Sequence, residues 1–155
     1  MDDISAIKQV KYRYLRAIDT KDWDLLASTL TEDIIGNYGE DGHQGGNLVL
    51  TGRDNLLGFM RDSLGPNIIT EHRVDHPEIT VADDEATGSW YMQDRVVMID
   101  HEMMLTGAAF YTDRYRRTAD GWKVCETGYD RTYELTISLH DLPSFKLKTG
   151  VSLNL

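Results

Sequence analysis

Cysteine is nearly absent from this chain. Cys125 stands alone among 155 residues, so no intrachain disulfide can form and nothing in the thiol content points to secretion. Long apolar runs are missing too, and no stretch approaches the length needed to span a bilayer. The N-terminus reads Met1-Asp2-Asp3-Ile4-Ser5, with acids where a secretory leader carries positive charge, so a cytoplasmic address is expected. Positive charge is in deficit: 16 Lys and Arg face 26 Asp and Glu, for a net charge of −10. Such a surface repels nucleic acid and anionic membranes, and neither is expected as a partner. The chain has no internal repeat, no linker and no low-complexity segment.

What remains is the composition of a globular domain, 41% hydrophobic and 27% charged, in one unit long enough to bury a real core. Asp2 or Asp3 is placed to cap a first helix with apolar positions at Ile4, Ile7, Val10, Tyr14, Leu15 and Ile18. Asp19 falls at its end, on the edge of the apolar stripe. Thr20-Lys21-Asp22 then turns the chain into a second helix through Trp23, Leu26, Ala27 and Leu30, completing a helical hairpin.

A short strand at Ile34 and Ile35 leads into Gly36, Gly39, Gly42, Gly45 and Gly46 and on to Leu48-Val49-Leu50, a glycine-rich hairpin or loop. Thr51 is placed to cap a third helix through Leu56, Leu57, Phe59, Met60 and Leu64, ended by Gly65-Pro66. The rest predicts antiparallel strands near 68–82, 85–99, 104–118 and 121–135, divided by turns at Ala82-Asp83-Asp84 and Asp120-Gly121. Helices followed by long hairpin-linked strands give an α+β domain, a curved sheet with helices on its concave side. The tail carries Leu139, Leu142, Phe145, Leu147, Val151, Leu153 and Leu155, and is expected to cover the sheet or a neighbouring subunit.

The pattern Tyr14-x4-Asp19, Asp22-Trp23-Asp24, His72 at a strand start and a Tyr115-Arg116-Arg117…Asp120-Gly121-Trp122-Lys123 hairpin resembles the SnoaL-like branch of the nuclear transport factor 2-like superfamily. The resemblance covers roughly residues 3–135, leaving 136–155 as the tail of a single domain, 1–155. It implies a conical α+β barrel, of the cystatin-like shape, whose mouth leads to a mostly apolar pocket. Within the superfamily the chain is similar to the cofactor-independent dehydratases and dehydrochlorinases: bile-acid 7α-dehydratases, scytalone dehydratases and hexachlorocyclohexane dehydrochlorinases. The bile-acid type carries over Tyr14, Asp19, His72, Asp94 and Arg131. The dehydrochlorinase type supports Asp19, His72 and Arg131, with a lysine where this chain has Tyr14. Homo-oligomers, trimers or dimers, are implied as well.

The residues bear this chemistry on their own terms. A neutral imidazole is the natural base near pH 7, and His72 shares its strand face with Thr70, Val74 and His76. Asp19 would accept from the other ring nitrogen and fix the tautomer, although Asp19-Thr20-Lys21-Asp22 is also plain turn chemistry. Asp94 interrupts an apolar row of Ala86, Gly88, Trp90, Met92, Val96 and Met98, so it is paired or functional. Arg131 is a candidate for binding a substrate oxygen, for pairing with Asp94, or for an outer strand face. The Tyr14 ring is core in any reading and only its hydroxyl is in question. Trp90, Met92 and Tyr129 are the expected substrate-binding side chains.

No metal set emerges: His72 and His76 are too far apart on a strand, and neither His101-Glu102 nor His43 completes one. The glycines lack the Lys-Ser/Thr of a phosphate loop, and Cys125 has no neighbouring activator. The expectation is therefore a lyase without cofactor, eliminating water from a small, largely apolar cyclic substrate such as a steroid, polyketide or terpenoid. A ketosteroid-type isomerase, a dehydrohalogenase and a non-catalytic binding or assembly domain remain alternatives.

Overall fold

Helix α1 (Asp3–Thr20) starts where the Asp2 carboxylate accepts the Ser5 backbone N–H at 2.9 Å, and stops at Lys21, which adopts a left-handed conformation (φ 56°). The computed structural model describes residues 1–38 and 48–150. Asp22 caps the short α2 (Trp23–Ser28) through the Leu25 N–H. Leu30, expected on that helix, instead opens β1 (Leu30–Asn37), because Thr29 caps the helix and turns the chain. β2 (Val49–Thr51) pairs with β1 as a hairpin arm. Thr51 belongs to this arm, so it does not cap α3 (Arg53–Ser63); Gly52, at φ 91°, stands at the cap position without a side-chain bond. Gly39, Gly42, His43, Gly45 and Gly46 lie outside the described residues, as do Val151, Leu153 and Leu155.

Four long strands follow: β3 (Ile68–Ala82), β4 (Glu85–Met98), β5 (Met103–Thr118) and β6 (Gly121–Ser138). The last runs three residues beyond expectation, then a 3-10 turn at Leu139–Asp141 brings the Leu139 N–H to the Glu102 carbonyl. The sheet order is β2-β1-β6-β5-β4-β3. It is mixed rather than wholly antiparallel, since β1 joins β6 in parallel, and among the described residues it is not closed into a barrel: β2 and β3 are its free edges. α1 packs against β3 and β6 and buries Ile7, Val10, Tyr14, Leu15 and Ile18. Ile4, expected on the same stripe, is 44% exposed. No helix of the described residues is long and apolar enough to cross a membrane.

Lys11 of α1 is a charged residue in the core, where a lysine is ordinarily solvated. It is fully buried, its Nζ 2.8 Å from Asp113 Oδ2 on β5 and 3.3 Å from the centroid of the Tyr111 ring. The approach is ionic rather than a well-aligned hydrogen bond. The Asp113 oxygens are otherwise filled by Thr127 Oγ1 (2.6 Å) and the Tyr115 hydroxyl (2.7 Å), which in turn accepts the Trp90 indole N–H at 3.0 Å. Burial pulls the Lys11 ammonium below the usual lysine range, and the Asp113 charge opposes that pull. At the outer end of the helix, Asp3 accepts both terminal nitrogens of Arg117 (2.9 Å each) and the Trp122 indole N–H (3.0 Å). Those bonds hold its carboxyl at about 2, against an ordinary 3.8.

Two outcomes follow from these anchors. Lys11→Met strands a buried carboxylate and should cost about 3–5 kcal/mol in urea unfolding, whereas an unchanged midpoint would mean that Asp113 is not charged in the fold. The Asp3 contribution is fully present above pH 3.8 and is lost as pH falls through about 2. The stability advantage of wild type over Asp3→Asn should therefore shrink across that interval, read by thermal melts at each pH; a constant difference would remove the clamp.

Candidate active site

An acid at a helix C-terminus opposes the helix dipole, so Asp19 has to be held by something outside α1. β3 supplies it. Thr70 Oγ1 donates to Asp19 Oδ1 at 2.8 Å, the His72 backbone N–H donates to Oδ2 at 2.8 Å, and His72 Nδ1 lies 2.7 Å from Oδ1. Next to it Lys21 Nζ donates to the Ile68 carbonyl at 2.6 Å, so the end of α1 is tied to the free edge of β3 at two points. Since three groups of β3 converge on a carboxylate that only accepts, His72 carries a proton on Nδ1, and Nε2 makes none of these bonds.

His72 pairs directly with Asp94 across β3 and β4. Asp94 is 5% exposed and receives Arg131 in a two-pronged contact, Nη1 to Oδ1 at 2.9 Å and Nη2 to Oδ2 at 2.7 Å. Arg131 starts from β6, so its side chain crosses β5 to reach β4. It passes over Gly107, the residue opposite Asp94, where a Cβ would come within 2.8 Å of Nη1 and 2.5 Å of the Tyr133 carbonyl. The Arg131 Nε faces Glu134 at 3.1 Å. The Asp94 hydrogen bonds raise the guanidinium above its ordinary range and lock it in the charged form.

Tyr14 is fully buried, and its hydroxyl shares a 3.0 Å hydrogen bond with that of Tyr38. Tyr111 packs edge-on against Tyr129, and Tyr38 tilts against the same ring, so four tyrosines fill the space under α1. Burial raises all four hydroxyls above the usual tyrosine range. Trp90 and Met92 are core side chains, the indole N–H engaged by Tyr115.

The open space is a groove of about 720 Å³ between α1 and β3, lined by Tyr12, Leu15, Arg16, Asp19, Thr20 and His72 and continuing past Val74 and His76 to Tyr91 and Gln93. Successive residues 72–76 line it, so it follows the free edge of β3. A bulge between Asp75 and Glu78 breaks the strand alternation at His76, whose φ is 47°, so His76 is more exposed than His72 while lining the same groove.

The expectation of five side chains on one pocket thus divides. Asp19 and His72 line the groove, Asp94 and Arg131 lie beside His72 on the sheet, and Tyr14 lies in the core; Tyr14, Asp94, Arg131, Trp90, Met92 and Tyr129 are not among the groove's lining residues. Thr70, Gly107 and Glu134 were missed. Gly107 had a readable signal, a glycine inside a strand where another chain element comes close.

A SnoaL-like domain family matches residues 1–128. The chain belongs to that family. Among solved structures the fold is similar to the Kfla4162 protein of Kribbella flavida (20% identity, TM-score 0.77, covering 86% of this chain and 93% of that one). It is also similar to a type 2 hexachlorocyclohexane dehydrochlorinase (20%, 0.75, 86% and 88%) and to a candidate scytalone dehydratase from Novosphingobium aromaticivorans (19%, 0.75, 85% of each). At these identities the likeness establishes the α+β, nuclear transport factor 2-like fold of this SnoaL-like chain.

Gly107→Ala tests the crossing of Arg131 over β5. The added methyl meets a backbone carbonyl that cannot swing away, so the variant should lose roughly 1–3 kcal/mol in denaturant unfolding. An unaltered midpoint would show that β5 and β6 have room there.

Proposed function

We propose that this SnoaL-like protein is a lyase that eliminates water from a small, largely apolar cyclic substrate by acid–base chemistry at His72. The observation that carries the reading is the 2.7 Å contact between His72 Nδ1 and Asp19, beside an open groove. His72 Nε2 takes a proton from the carbon next to a carbonyl, the C–H electrons form the new double bond, and the β C–O bond breaks. The proton then passes from Nε2 to the departing hydroxide, which leaves as water. Asp19 steadies the imidazolium formed in between, and Thr70 holds Asp19 in place. The Asp94–Arg131 pair fixes the strand face on which His72 is mounted. The dehydrochlorinase and dehydratase neighbours are consistent with either hydroxide or halide as the leaving group.

A ketosteroid-type isomerase would need a free carboxylate as base, and Asp94 has both oxygens on Arg131. The non-catalytic alternative draws on a different fact: tyrosines, Trp90 and Met92 fill the interior of the cone.

Turnover of a panel of hydroxylated cyclic ketones and chlorinated cyclohexanes, followed for wild type and His72→Ala, separates these readings. The lyase reading expects turnover that His72→Ala lowers by roughly 10²–10⁴ with the unfolding midpoint preserved. Equal turnover in both proteins would overturn the mechanism, and binding without any turnover would favour the second reading.

A further inference from the structure

An elimination beginning at a carbon beside a carbonyl places negative charge on the carbonyl oxygen, so the groove needs a donor or a cation facing that oxygen. The two groups expected to serve are already engaged. The Tyr14 hydroxyl is bonded to Tyr38 within the core, and the Arg131 nitrogens face Asp94 and Glu134. Around Arg131 the balance is two carboxylates to one guanidinium, an environment that repels a further anion. Neither residue lines the groove that His72 faces.

Two guanidiniums do line it, Arg16 and Arg73. Arg73 is turned to Glu71 at 3.1 Å, two residues back on the same strand. Arg16 has no ion-pair partner among the described residues, in a chain with 26 acids against 16 bases. Its place on α1 is set by helical spacing: Tyr12, Arg16 and Thr20 form one ridge at intervals of four, with Leu15 and Asp19 beside them, and all five line the groove. Arg16 precedes Asp19 by three residues, close enough for their side chains to be neighbours, yet both Asp19 oxygens are taken by Thr70 and His72. Arg16, exposed on the groove wall, therefore lies within one helical turn of the residue that orients the base, and its guanidinium makes no ion pair or hydrogen bond among the described residues.

We propose that Arg16 is the oxyanion-binding residue of this groove, and that the substrate is a cyclic β-hydroxy ketone whose carbonyl oxygen lies against it. The proposal rests on the lyase reading above. The α-proton goes to His72 Nε2, its electron pair moves toward the carbonyl, and the enolate oxygen meets Arg16. Collapse of the enolate forms the Cα–Cβ double bond and expels the β-hydroxyl, which takes the proton from His72 and departs as water.

A phenolate imitates an enolate oxygen, and 4-nitrophenol reports its own ionisation by absorbance. Wild type should bind the phenolate form in preference to the phenol and so lower the probe's apparent ionisation pH. Arg16→Gln should weaken phenolate binding by roughly ten- to a hundredfold, and Arg16→Lys should restore part of it. His72→Ala should still bind the probe, and on a turned-over ketone Arg16→Gln should lower kcat by roughly 10²–10³ with KM little changed. Phenolate binding unaltered in Arg16→Gln, or no preference for phenolate in wild type, would overturn the proposal. Phenolate binding through Arg16 without turnover of any ketone would instead overturn the lyase reading, leaving an oxyanion-binding groove.

Discussion

The ion pair between Lys11 and Asp113 fixes how α1 lies on the sheet, and the remaining geometry is referred to it. A buried ammonium and a buried carboxylate are each costly alone, so the helix has little freedom to slide or rotate once they meet. From Lys11 to Asp19 is eight residues, roughly 12 Å of helix. That rigid length delivers Asp19 from the middle of the sheet to its free edge, where Thr70 and His72 receive it. One end of the ruler is anchored on β5 and the other on β3, and the Asp3–Arg117–Trp122 clamp holds its outer end. The dyad thus depends on a contact in another part of the core, and hydrogen bonds made by Asp113 to Thr127 and Tyr115 keep that contact from being a bare charge pair.

The sheet arranges its own polar row by the same economy of partners. His72, Asp94 and Gly107 face one another across three strands, and Arg131 reaches in from the fourth. A side chain at position 107 would block that reach, so the absence of a Cβ there is what allows Asp94 a partner deep in an apolar face. Asp94 and Glu134 together outweigh the single Arg131 charge, which favours a cation over an anion on that side of His72. The imidazolium that the proposed proton abstraction would form is such a cation, so the row fits His72 as a base better than it fits an anionic ligand.

Much of this was legible in sequence because it is local. Strand limits followed the turn chemistry at Asp83-Asp84 and Asp120-Gly121, and period-two counting put Asp94 on the buried face. The turn read at Thr20-Lys21-Asp22 is where α1 gives way to α2. Failures had physical causes of another kind. Lys11 lies on the apolar stripe between Ile7 and Tyr14, but a lysine is solvated by default, and only the non-local Asp113 reverses that. Asp113 itself shares the inward parity of Tyr111 and Tyr115, a signal present and unread. The bulge at His76 changes strand parity, and Pro77 inside it is the local marker left unread. The tyrosine filling under α1 joins residues from α1, β5, β6 and the position just after β1, and such a meeting is invisible to periodicity.

That filling has a consequence for where chemistry is possible. A cone whose interior holds Tyr14, Tyr38, Tyr111 and Tyr129 offers no space at its axis among the described residues, so the reactive surface moves to the rim, where α1 and the β3 edge diverge. At the rim a base has to be held in place by bonds. His72 has them: its Nδ1 is committed to Asp19, its backbone N–H is committed to the same carboxylate, and its remaining nitrogen is left for the groove. Under the proposed lyase reading, a rim site would also leave the expelled water an immediate exit, whereas a sealed cone would have to open for each turnover. Open access lowers the energetic worth of every charge through solvent, so a guanidinium at such a site has to touch the oxyanion directly to matter. This requirement favours a residue on the groove wall, such as Arg16, over one lodged between two carboxylates behind it.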